Sequence, residues 1–134
     1  MESEVIFVAG PISVPEKINA SREVGAVVEF HGIVRESDGD ERIAGLSYEA
    51  YEPMARREFD RIFAELSART PIHAVLVIHR LGDVPVGEAS LLVRVTAKHR
   101  GQALTFCGTL IDRMKEDVPI WKSPMQRAAS PLAE

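Results

Sequence analysis

Residues 114–122 read Met-Lys-Glu-Asp-Val-Pro-Ile-Trp-Lys, and the organisation of the chain can be worked out from this stretch. An apolar stripe at helical spacing leads into it, formed by Leu104, Cys107, Leu110, Ile111 and Met114. Pro119 cannot continue a helix, because it lacks a backbone N–H and its ring clashes with the preceding turn. The pattern therefore predicts a long helix that ends before Pro119, with one lysine on each side of the break.

Five stretches upstream of this helix are rich in β-branched and other apolar residues. We predict strands over residues 5–9, 25–34, 43–51, 74–80 and 89–97. Gly32 lies inside the second of these, which indicates a bulge or a close approach of another backbone. A second amphipathic helix is predicted between Pro53 and Pro71, because apolar residues recur there at spacings of three and four.

The connecting segments are predicted from their turn residues. Ser13 is predicted to cap a short helix that has Pro15 in its first turn. Residues 35–42 indicate a mobile loop or a hairpin turn, and residues 82–87 a turn-rich connection. Residues 1–122 are predicted to form a single domain, and residues 123–134 a loose C-terminal tail, since the tail shows no periodicity. Mixed strands with two helices favour the α+β class.

Bulk composition narrows the class of protein. The chain has 134 residues and a net charge of −4, so nucleic acid is not expected as a partner, because binding phosphates needs a basic surface. No apolar run approaches the ~20 residues of a membrane span, and no export signal precedes residues 5–9. We therefore expect a cytoplasmic protein that does not bind membranes.

Cysteine and histidine usage indicates neither a metal site nor a cofactor. Cys107 is the only cysteine, which excludes an internal disulfide, and its place on the apolar stripe predicts a core residue. His31, His73 and His79 show no metal-ligand spacing and are interpreted as core or surface residues.

Three groups of cations stand out in this acidic chain. Arg35 follows a predicted strand, His99 and Arg100 lie at a strand-to-helix junction, and Lys115 and Lys122 flank the proline break. Strand ends and helix N-termini often carry binding groups, and arginine can hold a phosphate with two donors. Each cation also has a structural interpretation: a strand-end arginine is often a solvated flank, and a lysine near a helix C-terminus complements the helix dipole.

Helix length limits how these cations can combine. Residues 101–115, if helical, span about 21 Å at 1.5 Å per residue. His99 and Arg100 would then lie at the opposite end of the helix from Lys115, too far apart to share one small-molecule site within a subunit. Either the chain has two sites, or a symmetric dimer brings one helix end to the other.

The motifs resemble the large, catalytic subunit of molybdopterin synthases. The resemblance is carried in order by residues 25–35 (GAVVEFHGIVR), 46–54 (LSYEAYEPM), 78–87 (IHRLGDVPVG), 97–100 (AKHR) and 114–122 (MKEDVPIWK). It covers nearly everything from Gly25 to Lys122.

This resemblance implies an α/β hammerhead fold with an added β subdomain: a mixed, mostly antiparallel sheet packed by two main helices. It implies a homodimer within a heterotetramer, in which each end binds a small ubiquitin-like subunit. The C-terminal Gly-Gly tail of that partner, carried as a thiocarboxylate, would enter the active site. The substrate would be cyclic pyranopterin monophosphate, which two sulfur transfers convert into the dithiolene of molybdopterin. No dissociable cofactor is implied.

Carried over residue by residue, the resemblance makes Lys115 and Lys122 the catalytic lysines. We assign proton transfer to Lys115, because a lysine among other cations can exchange a proton near neutral pH, and anchoring of the thiocarboxylate or intermediate to Lys122. The substrate-binding positions are these two lysines together with Ile33, Val34, Arg35, His99, Arg100, Ser123 and Pro124. Relatives often carry charged residues where this chain has Ser123 and Pro124. His99 and Arg100 are predicted to serve the lysine site of the other subunit.

Two other functions are considered. The chain could be a docking module that binds a ubiquitin-like tail without chemistry, but docking alone would not need both lysines and Arg35. It could also be a regulatory domain that senses a phosphate or nucleotide, but it has no Gly-rich phosphate loop.

Overall fold

A computed structural model describes residues 1–16 and 21–126 of the chain. In chain order the elements are β1 (Glu2–Val8), β2 (Ala26–Ile33), β3 (Ser37–Asp38), β4 (Glu41–Arg42), β5 (Gly45–Ala50), α1 (Glu52–Arg69), β6 (Ala74–Arg80), β7 (Gly82–Pro85), β8 (Ala89–Ala97), α2 (Arg100–Asp117) and β9 (Ile120–Met125).

The main sheet has four strands in the order β1-β6-β8-β2. β1 runs parallel to β6, whereas the β6–β8 and β8–β2 pairs are antiparallel. Both long helices contribute to one hydrophobic core with the central strands: Phe59 and Phe63 of α1 and Phe106 of α2 are buried with Val77 and Val93. Alternate residues of a strand face opposite sides of the sheet. The face that carries Val77 and Val93 is the one that packs against the two helices.

A second, three-stranded sheet lies beside the main one, in the order β7-β5-β9 and antiparallel throughout. It has a small core of its own, in which Val34, Ile43, Leu46 and Val84 are buried and Tyr48 packs against them. The predicted α+β architecture, a mixed and mostly antiparallel sheet with two main helices and an added β subdomain, is confirmed. β6 and β8 match their predicted bounds residue for residue.

The second sheet corrects two predictions. Part of the turn-rich connection at 82–87 is strand β7, which pairs with β5 through residues as far as Pro85. The predicted loose tail begins too early, since residues 123–125 belong to β9. Pro124 lacks an N–H donor, yet β9 is an edge strand, where proline is tolerated. Residues 127–134 of the predicted tail lie outside the described residues.

The predictions for the shorter segments had mixed outcomes. Residues 11–16 form no helix, because Pro15 disfavours helical geometry at Val14, the residue that would begin it; residues 17–20 lie outside the described residues. The segment at 35–42 is a hairpin of β3 and β4, turned at Gly39 with a φ of 63°. The register of β2 against β8 shifts between Gly32 and Ile33, which agrees with the first of the two alternatives predicted there, a bulge. In the described part of the chain, no helix is long and apolar enough to cross a membrane.

Candidate active site

A cleft of about 610 Å³ opens where the two sheets and the C-terminal end of α2 meet. Its walls come from the end of β2 and the segment after it, from β5 and β9 of the smaller sheet, and from the last turns of α2. Lys115, Lys122, Arg35, Ile33 and Val34 all line it. Five of the residues predicted for the site are therefore brought together by the fold.

The end of α2 and the start of β9 position the two lysines. Val118 ends the helix in an extended conformation, and its N–H bonds to the carbonyl of Met114 at 3.1 Å. After Pro119 the chain enters β9, where Lys122 lies directly opposite Tyr48 of β5. Side chains alternate along a strand, so Lys122 faces the cleft while Trp121 points outward and is 58% exposed.

The bulge in β2 shapes the opposite wall. Beyond it, Val34 is held by two backbone hydrogen bonds, from its own N–H to the carbonyl of Glu88 at 3.0 Å and from the N–H of Gly87 to its carbonyl at 2.9 Å. Val34 is buried, whereas Ile33 is 50% exposed at the cleft. This anchoring directs the exposed Arg35 to the cleft, next to the β3–β4 hairpin.

The cleft is rich in cations that lack a counter-charge. Within residues 1–16 and 21–126, Arg35, Lys115 and Lys122 form no ion pair with a carboxylate, although Arg80 and Arg94 of the main sheet each do. Asp38 is a carboxylate in the wall, so the lining is not uniformly positive. Three unpaired cations around one cleft, in a chain of net charge −4, make its charge suited to an anion.

Four of the predicted substrate-binding residues do not line this cleft. His99 is the N-cap of α2 and Arg100 its first residue, so both lie at the far end of the helix from Lys115, as its length predicted. Ser123 and Pro124 follow Lys122 on β9 and are exposed. The roles of these four stay predictions, and the hypothesis that His99 and Arg100 serve a second subunit is not refuted.

His79 and Tyr48 line the cleft but were not among the predicted site residues. His79 lies near the end of β6 and is buried, and burial lowers the pKa of its imidazole. Its ring meets the ring of Tyr48 edge-on, with centroids 5.0 Å apart. Alternation along β6 indicates which side His79 faces, but only the packing of the second sheet reveals that this side opens into a cleft.

The comparisons with known proteins agree with one another. A family model described as MoaE protein matches residues 7–117. The molybdopterin synthase catalytic subunit of Pyrococcus abyssi is 42% identical over 103 residues, which make up 77% of this chain and 70% of that protein. The chain belongs to the MoaE family. The X-ray structure of molybdopterin synthase from Staphylococcus aureus superposes with a TM-score of 0.83, at 33% identity and over 92% of each chain.

This MoaE-family chain is also similar to a chain in a complex of subunits 1 and 2 of the molybdopterin-converting factor of Helicobacter pylori. The TM-score is 0.70, at 27% identity, over 90% of this chain and 83% of that one. The chain spans 50% to 70% of the length of the first curated relatives it matches. The family match includes Arg35, His99, Arg100 and Lys115 and ends before Lys122.

Cys107 lies away from the cleft of this MoaE-family chain. It packs into the main core at 4% exposure, and burial raises the pKa of its thiol. A buried thiol that resists ionisation is a poor nucleophile, which agrees with its predicted place in the core. In the part of the chain that is described, no group of three or more His, Cys, Asp or Glu residues is arranged to hold a metal ion.

Proposed function

We propose that this chain is the catalytic subunit of a molybdopterin synthase. It would transfer sulfur from the C-terminal thiocarboxylate of a small ubiquitin-like partner to cyclic pyranopterin monophosphate, in the cytoplasm. The observation that carries the proposal is the cleft in which Arg35, Lys115 and Lys122 stand unpaired among the described residues. Family membership and the printed activity of the relatives support it.

The charge of the cleft suits this chemistry. The cyclic phosphate of the substrate and the thiocarboxylate of the partner are both anions, and negative charge develops further as sulfur is transferred. Cations placed in advance around such a site stabilise that charge at little reorganisation cost. Arg35 is suited to the phosphate, because its guanidinium can donate two parallel hydrogen bonds. Ile33 and Val34 would form the wall beside it.

The two lysines have different surroundings and are given different roles. Each transfer forms a carbon–sulfur bond on the substrate in place of a carbon–oxygen bond: one opens the cyclic phosphate, which stays attached as a monoester, and the other releases its oxygen as water. Water then cleaves each acyl–sulfur bond and releases the partner tail as a carboxylate, so protons move at each step. We assign proton transfer to Lys115, on the last turn of α2. We assign anchoring of the thiocarboxylate or intermediate to Lys122, which a strand holds in place.

The remaining binding residues would act at the edges of the site. Ser123 and Pro124 continue β9 past Lys122 and would contact substrate near the entrance. His99 and Arg100 would come from the second subunit of a homodimer, placing the free N–H donors of that subunit's α2 beside the substrate. The first turn of α2 contains no acidic residue, which suits an anion there. A small partner subunit at each end of the dimer would complete a heterotetramer; the Helicobacter pylori complex of two subunits supports such a partner.

The decisive experiment is reconstitution. The purified protein is mixed with a thiocarboxylated ubiquitin-like partner and the cyclic pterin, and formation of molybdopterin is followed. Lys115→Ala and Lys122→Ala are each expected to lower turnover by at least about a hundredfold, as loss of a charge-stabilising group in an active site does. Lys98→Ala is the matched control, because Lys98 is exposed, pairs with Glu23 at 3.9 Å and lies outside the cleft.

The possible outcomes separate the alternatives. Turnover that collapses in both cleft variants but persists in Lys98→Ala supports the enzyme and its lysines. Turnover that survives both cleft substitutions rejects the assigned site but leaves the enzyme function in place. If the wild type binds the partner tail but never produces molybdopterin, the chain is a docking module instead.

A further inference from the structure

His79 lies on the cleft and takes no part in the roles assigned above. Its Nδ1 atom lies 2.8 Å from the carbonyl oxygen of Arg80, and since a carbonyl only accepts hydrogen bonds, Nδ1 carries the proton. In the neutral ring Nε2 then presents a lone pair. Within the described residues Nε2 has no hydrogen-bond partner, and unlike Nε2 of His73 it is not sealed from solvent. The side chain as a whole is only 5% exposed.

Two sheets hold this imidazole in place. His79 stands opposite Leu91 in the β6–β8 pair of the main sheet, and both residues line the cleft. Tyr48 of the second sheet packs edge-on against its ring, with an angle of 67° between the planes. Tyr48 in turn lies opposite Lys122. A polar atom fixed by a backbone bond on one side and an aromatic contact on another is preorganised for a ligand.

The lining of the cleft is charged at its mouth and mostly apolar at its floor. Its unpaired cations Arg35, Lys115 and Lys122 are exposed at the mouth. Deeper in, the lining is formed by buried apolar side chains, including Leu46 and Met114, and by His79. A ligand that matches this gradient carries its anionic group at one end and an uncharged ring system with a hydrogen-bond donor at the other.

We propose that Nε2 of His79 accepts a hydrogen bond from an N–H group of the substrate's pterin ring and so orients the ring on the cleft floor. This inference rests on the proposed function, because it concerns the same cleft and the same class of substrate. His79 is a binding residue in this scheme and takes part in no bond-making step. The cations hold the phosphate and thiocarboxylate, while His79 recognises the neutral heterocycle.

The surroundings keep the ring in the accepting form. Burial lowers the pKa of His79 and outweighs the opposing effect of its hydrogen bond to the Arg80 carbonyl. The titratable side chains of other elements that line the same cleft are His31, Arg35, Asp38, Tyr48, Lys115 and Lys122. Because protonation would turn Nε2 from acceptor into donor, substrate binding is expected to weaken only in acid, below the ordinary histidine range.

Two substitutions separate this role from a structural one. Asparagine at position 79 places its amide near the position of Nδ1, so His79→Asn keeps the bond to the Arg80 carbonyl but loses the deeper acceptor. Glutamine reaches the position of Nε2, so His79→Gln restores an acceptor there. In the reconstituted enzyme, His79→Asn is expected to raise KM for the cyclic pterin about tenfold, equivalent to about 1.4 kcal/mol, with kcat little changed. His79→Gln is expected to stay close to wild type.

The opposite ranking would overturn the proposal. If the bond to Arg80 were all that mattered, His79→Asn would behave like wild type and His79→Gln would be impaired, mainly in thermal stability. Melting temperatures of both variants, measured alongside the kinetics, make that distinction.

A second readout does not depend on turnover. Long-range ¹H–¹⁵N spectra of the wild type report the Nδ1–H tautomer directly, and pterin without a phosphate serves as the probe. A change in the Nε2 resonance of His79 on adding pterin supports the proposal, even if sulfur transfer is never observed. If sulfur transfer proceeds while Nε2 does not respond and KM is the same in His79→Asn, the proposed function stands and the role of His79 is rejected.

Discussion

The placement of His99 and Arg100 in the partner subunit's site can be tested by complementation between two inactive chains. Arg100 is the first residue of α2, and Lys115 lies in its last turn. The fifteen residue-to-residue steps from Arg100 to Lys115 span about 22 Å at 1.5 Å per residue, which is more than the side chains of both residues can bridge together. We therefore expect a site that uses both residues to take them from different subunits of a dimer.

The perturbation combines Arg100→Ala in one chain with Lys115→Ala in the other. In a two-fold dimer that shares residues across its interface, one site of the mixed dimer receives both substitutions and the other receives neither. The mixed dimer should therefore recover about half of the wild-type activity per dimer, although each parent homodimer is nearly inactive.

The assay uses co-expression of the two chains with different affinity tags, and purification on both tags in sequence. Molybdopterin formation with charged partner and cyclic pterin is then measured per dimer. A mixed dimer of Lys115→Ala and Lys122→Ala is the matched control. Both lysines line the same cleft of one chain, so each of its sites lacks one lysine and no recovery is expected.

The reasoning fails if the mixture of Arg100→Ala and Lys115→Ala is as inactive as its parents while doubly tagged wild type is active. It also fails if the control mixture recovers activity equally, because recovery would then not depend on which helix end is changed.

Three further predictions concern stability. Gly45→Ala should lower the free energy of unfolding by about 1–3 kcal/mol, because a Cβ there would overlap the backbone of β7. Urea denaturation measures this free energy. An unchanged midpoint would contradict the packing described for the second sheet. Gly108→Ala should instead raise the free energy of unfolding by about 0.5–1 kcal/mol, since the position is helical and no atom beyond the adjoining residues and helix backbone lies within 4 Å of an added Cβ. A lower urea midpoint than that of the wild type would contradict this prediction. Hydrogen bonds from His31 and then Arg94 lower the pKa of Glu29, so this carboxylate stabilises the fold above its ordinary value of 4.5 and the benefit is lost as pH falls. The difference in unfolding free energy between wild type and Glu29→Gln should shrink in acid, and a difference constant with pH would reject this account.

The sequence alone determined those helices and strands whose residue pattern lies within one short stretch of the chain. A continuous apolar run predicted β6, a period-two pattern predicted β8, and spacings of three and four predicted both helices, because burial dictates the residue types along each element. Pro119 fixed the end of α2 for an equally local reason, its missing N–H. These features also fixed that Arg100 and Lys115 are separated by the length of a helix.

The tertiary structure decided what lies next to what. β9 was hidden because Pro119 precedes it, Pro124 lies within it and its residues show no periodicity. Only pairing with β5, distant in sequence, makes it a strand. That pairing turns Lys122 toward the cleft. The bulge anchored at Val34 brings Arg35 to the same cleft, and packing between the two sheets makes His79 a lining residue. The cations were visible in the chain, but their grouping around one cleft depends on contacts between residues far apart in sequence, which no local pattern encodes.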